Sequence, residues 1–284
     1  MKLRARQHLL EFPRRPLIMG ILNLGADSFS GDGITELDRA LARAKEMLRE
    51  GADIVDIGAE SARTNRAAIS EQEETDALCA FIERWPEIRE TAPGESVPLL
   101  SLNTWRPAVC RATLRIGGDI LNDIGALPTD ENARICAESG AALLIMHSIG
   151  EPKIPHTHIG YDDVMERLER FFSDKLTLVG AAGLSLDAVI LDPGIDFAKQ
   201  RDDNLRIYRE LARLQKFGRP ILLPISRKTV IGDVLEIREP PQRDAGTIAC
   251  LVSGMRRGAD IFRVHNVRAA AQAVRIIAAV EAVE

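Results

Sequence analysis

GADIVDIGAE (51–60) holds three signals in ten residues. A glycine able to take the left-handed conformation ends one helix and turns the chain. An apolar, β-branched run then makes a buried strand, and two acidic residues, Asp56 and Glu60, stand where that strand finishes. Closely related entries precede three further runs: Gly117-Gly-Asp-Ile, Gly140-Ala-Ala-Leu and Gly258-Ala-Asp-Ile. One repeated connection implies one repeated architecture.

Working outward, eight short aliphatic runs alternate with helical stretches: PLIMGILN (16–23), DIVDIG (53–58), PLLSLN (98–103), DILND (119–123), ALLIMH (142–147), AVILD (188–192), PILLPIS (220–226) and DIFRVH (260–265). Amphipathic segments are expected at about 36–50, 71–91, 106–116, 130–139, 161–182, 200–217, 240–257 and 267–283. Continuous apolar strands separated by helices argue for a parallel sheet covered on its outside. Eight such units predict a closed α/β (β/α)8 TIM barrel, whose chemistry belongs at the C-terminal strand ends. The 284 residues match one barrel, read as a single domain over 1–284, with residues 1–15 as an extended segment or hairpin closing its floor.

Composition narrows the function. A net charge of −5 speaks against a nucleic-acid binder, whose phosphate affinity needs a basic surface. Four scattered cysteines (Cys79, Cys110, Cys136, Cys250), with no C-x-x-C pair, read as reduced thiols in a cytoplasmic protein. The start MKLRARQHLLEF has neither an apolar core nor a cleavage site of a signal peptide, and no apolar run approaches membrane-spanning length.

The strand ends carry Asn23, Asp56, Asn103, Asn122 with Asp123, His147, Asp192, Ser226 with Arg227 and Lys228, and Arg263 with His265. Polar groups there are costly unless paired, so a ring of them implies a hydrogen-bonded network or a ligand. Asp192 beside Asn103 and Asn122 suits an amide-rich heterocycle, since the carboxylate accepts N–H groups and each amide both donates and accepts. Asp192 capping its own Pro-Gly turn is the blander alternative. Lys228, Arg263 and His265 on the last two runs, with Arg63 on the loop after the second, suit an anion such as phosphate. For any one of these cations a solvated surface position is the plainer reading. Asp56 and Glu60 can equally pair with a cation across the mouth, and His147 at an apolar strand end reads as packing at least as well as a base. His156 and His158 lie too deep in a loop for a metal claim. The loops 24–35 and 59–70 are long enough to clamp a ligand, and Phe29 with Asp32-Gly33 would let the first fold over a planar one.

The segments IMGILNLGADSFSGDG, GADIVDIGAESAR, SLNTW, GGDILNDI, LLIMH, VILDPGIDFAK, ISRKTVIG and IFRVH resemble, in order and spacing, the strand-end motifs of dihydropteroate synthases of the pterin-binding barrel superfamily. The resemblance covers nearly the whole chain. It implies the Mg2+-assisted condensation of 6-hydroxymethyl-7,8-dihydropterin pyrophosphate with p-aminobenzoate, releasing pyrophosphate in folate biosynthesis. It also implies roles: Asn122 and Asp192 hold the pterin and Lys228 its ring carbonyl; Arg63, Arg263 and His265 bind the pyrophosphate; Asn23 helps hold Mg2+; Ser226 lies near the amine acceptor. Asn103, Lys228 and Arg63 are the expected catalytic set, and a homodimer built from the later helices is implied.

Departures from the motif fall at the site. The family pattern Ser-Val-Asp-Thr is here Ser101-Leu102-Asn103-Thr104, removing a carboxylate near the developing pterin cation. Gly25 and Ala26 replace Thr-Pro, Ala62 and Thr64 replace Thr and Pro, Pro224 replaces a small residue, and Asp196 and Ala198 replace two glycines. Loss of one stabilising charge costs ~2–4 kcal/mol of transition-state binding. Two other readings follow: a pterin-binding paralogue without condensation or with another acceptor, and a methyltetrahydrofolate-type pterin methyltransferase. The cation set argues against the second.

Overall fold

The computed structural model describes residues 1–24, 36–60, 68–93, 97–150, 152–154 and 159–282. An antiparallel hairpin, β1 (Lys2–Ala5) and β2 (His8–Glu11), precedes the barrel. Then follow β3 (Leu17–Asn23), α1 (Glu36–Glu50), β4 (Ile54–Gly58), α2 (Glu71–Arg89), β5 (Leu99–Asn103), α3 (Pro107–Ile116), β6 (Ile120–Asp123), α4 (Glu131–Ser139), β7 (Ala142–Met146) and α5 (Val164–Ala181). The last part holds β8 (Val189–Asp192), α6 (Arg201–Glu210), β9 (Leu222–Leu223), α7 (Thr229–Leu235), α8 (Asp244–Met255), β10 (Ile261–Val264) and α9 (Val267–Glu281).

The parallel sheet runs β8-β7-β6-β5-β4-β3-β10-β9, and a parallel bridge between Leu191 and Ile221 joins its two ends into a barrel. The expected eight-unit ring is present, with two local differences. The run 220–226 was read as a full strand, yet only Leu222–Leu223 pairs as one. Pro220 and Pro224 have no N–H to give to a ladder, so regular pairing stops between them. Directly after it comes α7, a short helix that the apolar period did not predict.

The repeated glycine entry works as its pattern implies. Gly51, Gly140 and Gly258 have φ of 108°, 75° and 84°, and in the second copy it is Gly118, at 92°, that turns left-handed. The aspartates of the repeat then serve the neighbouring strand: Asp53 accepts from Ile18 N–H (2.9 Å), Asp119 from Leu100 N–H (2.8 Å) and Asp260 from Ile221 N–H (2.9 Å). Each carboxylate satisfies a backbone donor at the bottom of the ring that has no strand partner.

Two apolar shells hold the barrel. Side chains such as Val55, Leu100, Leu102, Leu143 and Phe262 point outward into the helices, where Phe81 and Phe172 are fully buried. Met19, Ile54, Ile120, Leu144, Ile190 and Ile261 fill the interior, and Leu3, Ala5 and Phe12 of the hairpin join them, plugging the floor. Arg6, at the hairpin turn, fixes the plug. Its guanidinium donates to the carbonyls of Leu114 (2.6 Å), Gly118 and Ser139 (3.1 Å), at the C-terminal ends of α3 and α4 where the helix dipoles favour a cation. Arg6→Ala is expected to cost about 2–3 kcal/mol through the loss of these charge-assisted bonds. Urea unfolding checks this, and a loss too small to measure would show that the plug holds by apolar packing alone.

Candidate functional site

Strand register brings the polar ends together. Ile21 of β3 lies opposite Asp56, Asp56 opposite Ser101, and Asn103 opposite Asn122, so a carboxylate and three neutral polar groups occupy adjacent positions on β4, β5 and β6. Asp56 is the hub. Its Oδ1 accepts from Ser101 Oγ (2.6 Å) and Asn122 Nδ2 (3.1 Å), and its Oδ2 from Arg263 Nε (2.7 Å), Asn122 Nδ2 (3.3 Å) and Asn103 Nδ2 (3.4 Å). The carboxylate is 1% exposed, which makes the charge-assisted bond to Arg263 its necessary compensation. The sequence left Asp56 undecided between structure and ligand. In the structure it holds Asn103, Asn122 and Arg263 through a single carboxylate.

Asn103 thus gives its amide N–H to Asp56, and its Oδ1 is buried with no hydrogen-bond partner among the described residues. A buried, unpaired acceptor at a strand end is a demand for a ligand donor. The carboxylate that lies against Asn103 is that of Asp56, one strand away.

Asp192 ends β8, 3% exposed, with Oδ1 accepting the Gly194 N–H at 2.7 Å. Gly194 has a φ of 68°, and a Cβ there would lie 2.0 Å from the His147 carbonyl oxygen, so only glycine turns the chain this tightly. Burial pushes the Asp192 carboxyl up to about 6, while the Gly194 N–H, Lys228, Lys199 and Arg263 pull the other way. Asp192 caps its turn with one oxygen, and its carboxylate stays buried at the end of the strand.

The cations follow after β9 and on β10, next to β8 in the ring. Lys228 Nζ donates to the Ile195 carbonyl (2.8 Å) and lies 4.8 Å from the centre of the Phe197 ring. Arg263 uses Nε for Asp56, leaving its two Nη groups with no hydrogen bond among the described residues. Ser226 Oγ meets His265 Nδ1 at 2.8 Å and accepts the His265 N–H at 3.0 Å, binding the ends of β9 and β10 to each other. Arg227, by contrast, turns away to Asp244 (2.7 Å) and is structural.

Asn23 is exposed at the end of β3. Arg63, Phe29, Asp32, Gly33, His156 and His158 lie outside the described residues. Asp123 accepts from Gly125 N–H (2.7 Å) and Asn132 Nδ2 (2.9 Å), a turn-building role. Glu60 is also structural: its side chain pairs with Lys153 (2.6 Å) and Arg106 (2.5 Å), tying three mouth segments together. His147 is fully buried against the edge of Phe171, with Nδ1 2.9 Å from Lys199 Nζ. Burial, assisted by Lys199, pushes it down to about 2, so it is a neutral packing residue. Lys199 was missed in the sequence. Burial lowers it to about 7 against the pull of Asp192, and its one visible signal is its place in LDPGIDFAK (191–199).

The arrangement offers a carboxylate and two amides for the N–H and carbonyl edge of a heterocycle, and beside them guanidinium, ammonium and imidazole groups for an anion. Comparison with known proteins bears on the family. Residues 19–265 match the family described as pterin binding enzyme. Dihydropteroate synthase of Escherichia coli (strain K12) is 34% identical over 280 residues, covering 98% of this chain and 96% of that protein. The Synechocystis enzyme is 36% identical over 272 residues, covering 95% and 92%. The chain spans 57% of the folate synthesis bifunctional protein of Arabidopsis thaliana, at 35% identity. Among solved structures, Xanthomonas albilineans dihydropteroate synthase with 4-aminobenzoic acid superposes with a TM-score of 0.88 at 32% identity over 100% of both chains. The same enzyme in complex with 7,8-dihydropteroate gives 0.86 at 33%.

Proposed function

The chain belongs to the pterin-binding enzyme family, and from that premise we infer that it works as a dihydropteroate synthase, a transferase of folate biosynthesis. It joins 6-hydroxymethyl-7,8-dihydropterin pyrophosphate to p-aminobenzoate and releases pyrophosphate. The observation that carries the reading in this chain's own residues is the buried Asp56 network, which aims Asn103, Asn122 and Arg263 from a single carboxylate.

The division of labour follows from charge. Asp192 and the amides of Asn122 and Asn103 take the polar edge of the pterin, with the unpaired Asn103 Oδ1 as an acceptor. Lys228 exchanges the Ile195 carbonyl for the pterin carbonyl. Arg263 through its Nη groups, His265 and Arg63 hold the pyrophosphate, and Ser226 lies on the acceptor side. When the C–O bond to pyrophosphate breaks, positive charge spreads into the pterin and negative charge leaves on the phosphate. The buried carboxylates favour the first and the cations the second, with no reorganisation during the step. The neutral amine of p-aminobenzoate then attacks the methylene carbon and loses a proton. No covalent enzyme intermediate is needed.

Mg2+ fits Asn23. A hard cation accepts an amide oxygen, and Mg2+ is commonly held by one or two protein groups together with substrate phosphates. The described residues contain no cluster of three His, Cys, Asp or Glu side chains able to bind a metal without such help. Bound there, the ion would add positive charge to the leaving pyrophosphate. A homodimer through the later helices is supported by the exposed Leu205, Val234 and Leu235 on α6 and α7, and light scattering reads its mass directly. No helix among the described residues is long and apolar enough to cross a membrane, and with the unpaired cysteines this supports a cytoplasmic enzyme.

Chromatographic detection of dihydropteroate from the two substrates and Mg2+ tests the activity; a folded enzyme that yields none sinks it. The same assay tests Asn103. Asn103→Asp places a second carboxylate against Asp56, so one of the pair keeps its proton and the rate changes by less than about tenfold, with a new ionisation in the pH profile. A much larger gain would mean that Asp56 does not supply the charge missing from position 103.

A further inference from the structure

Two residues in the turn after β8 have backbones in the left-handed region without being glycine: Asp196 with φ of 67° and Ala198 with φ of 51°. Such positions persist only where the surroundings over-determine them. Around Asp196 they do. Its carboxylate accepts the N–H of Thr229 and, at 3.3 Å, that of Val230, the first two residues of α7. Its own N–H donates to the buried Asn204 Oδ1 at 2.9 Å, and Asn204 Nδ2 returns a bond to Asp196 Oδ1 at 3.3 Å.

Lys228 immediately precedes Thr229, and its Nζ rests on the carbonyl of Ile195, the residue immediately before Asp196. The turn therefore grips the lysine at both ends, through the backbone behind it and through its ammonium. The charged groups facing that ammonium are Asp192 from β8, Asp196 and Lys199 from the turn, and Arg263 from β10. Burial lowers the Lys228 pKa, Asp196 and then Asp192 raise it, and Arg263 lowers it.

We propose that Asp196 is a positioning residue for Lys228, anchoring the first turn of α7 and setting a carboxylate opposite the lysine's charge. The inference rests on the assignment of Lys228 to the pterin. A glycine at this position relieves the backbone but offers neither the anchor nor the charge. In this chain the side chain accounts for the strain.

The test is calorimetric titration with 6-hydroxymethyl-7,8-dihydropterin pyrophosphate across neutral and alkaline pH, on the native chain and on Asp196→Asn, Asp196→Gly and Lys228→Gln. Melting temperatures are recorded alongside to exclude unfolding. In the native chain, affinity falls on the alkaline side as Lys228 loses its proton. Both Asp196 variants move that fall to lower pH. Asp196→Asn, which keeps an oxygen for the two N–H groups, loses less affinity at neutral pH than Asp196→Gly. An alkaline fall unmoved in both variants, with Lys228→Gln crippled, overturns the role of Asp196. A Lys228→Gln variant that binds as tightly as the native chain overturns the assignment of Lys228 itself, and the inference with it.

Discussion

Exchanging Asp56 for asparagine is expected to lower kcat/KM about a thousandfold, the upper end of what one preorganised electrostatic group contributes. The change is nearly isosteric, so it isolates charge. One of the two carboxylate oxygens becomes an NH2 donor, so either Arg263 Nε and Asn103 or Ser101 and Asn122 lose their acceptor, and the oxygen that remains carries no charge. The loss should appear in kcat as well as KM, because the groups released are those proposed to take both the pterin and the pyrophosphate. Stability should also fall, by about 3 kcal/mol, since one partner of a buried pair is left without its counter-charge. The Arg263 side chain is 22% exposed, and water reaching it softens this figure. A variant within about tenfold of the native rate would reduce Asp56 to a structural residue.

Asp192→Asn is expected to weaken pterin binding about a hundredfold, as a charged hydrogen bond gives way to a neutral one. It should also abolish a pH dependence that the native chain shows. Asp192 is pushed up to about 6 by burial, from an ordinary 3.8. A carboxyl raised in the folded state binds its proton more tightly there than when unfolded. Its stability contribution is therefore fully present below the ordinary value and is lost as pH rises through about 6. Ligand binding runs the other way: pterin N–H groups need the carboxylate, so affinity climbs across the same interval. Titrations from acid to neutral pH, on the native chain and the variant, read both effects. A native affinity flat across that interval would remove Asp192 from the pterin.

Local pattern made the barrel legible. Each aliphatic run bounded by a glycine entry became a strand, and the polar residue closing it came to the mouth. Pairing across the barrel was not legible in the same way. Asp56 and Arg263 are 207 residues apart, and nothing local to either says that β3 alone stands between their strands. Register, which sets a carboxylate under two amides, is a property of the closed sheet and not of any one segment. The shortening of β9 is readable from Pro220 and Pro224, although the run between them is continuously apolar. Glu60 turned structural for a tertiary reason: Arg106 and Lys153 reach it from two other loops. The carboxylate beside Asn103, Asp56, belongs to another strand, and no local pattern shows that the two meet.

The pair Leu17–Ile261, where β10 docks beside β3, ties together residues far apart in the chain. During synthesis, β3 to β9 are made before β10 exists, and until it docks Asp56 has no guanidinium. Contacts of such long separation carry a heavy loop-closure cost and form late. Asn103, Asn122 and Asp192, on β5, β6 and β8, can come together on a nascent chain that still lacks Arg263 and His265. Substrate competence is thus gained in the last act of folding, and a chain stalled before β10 would be a half-site carrying an uncompensated charge at its centre.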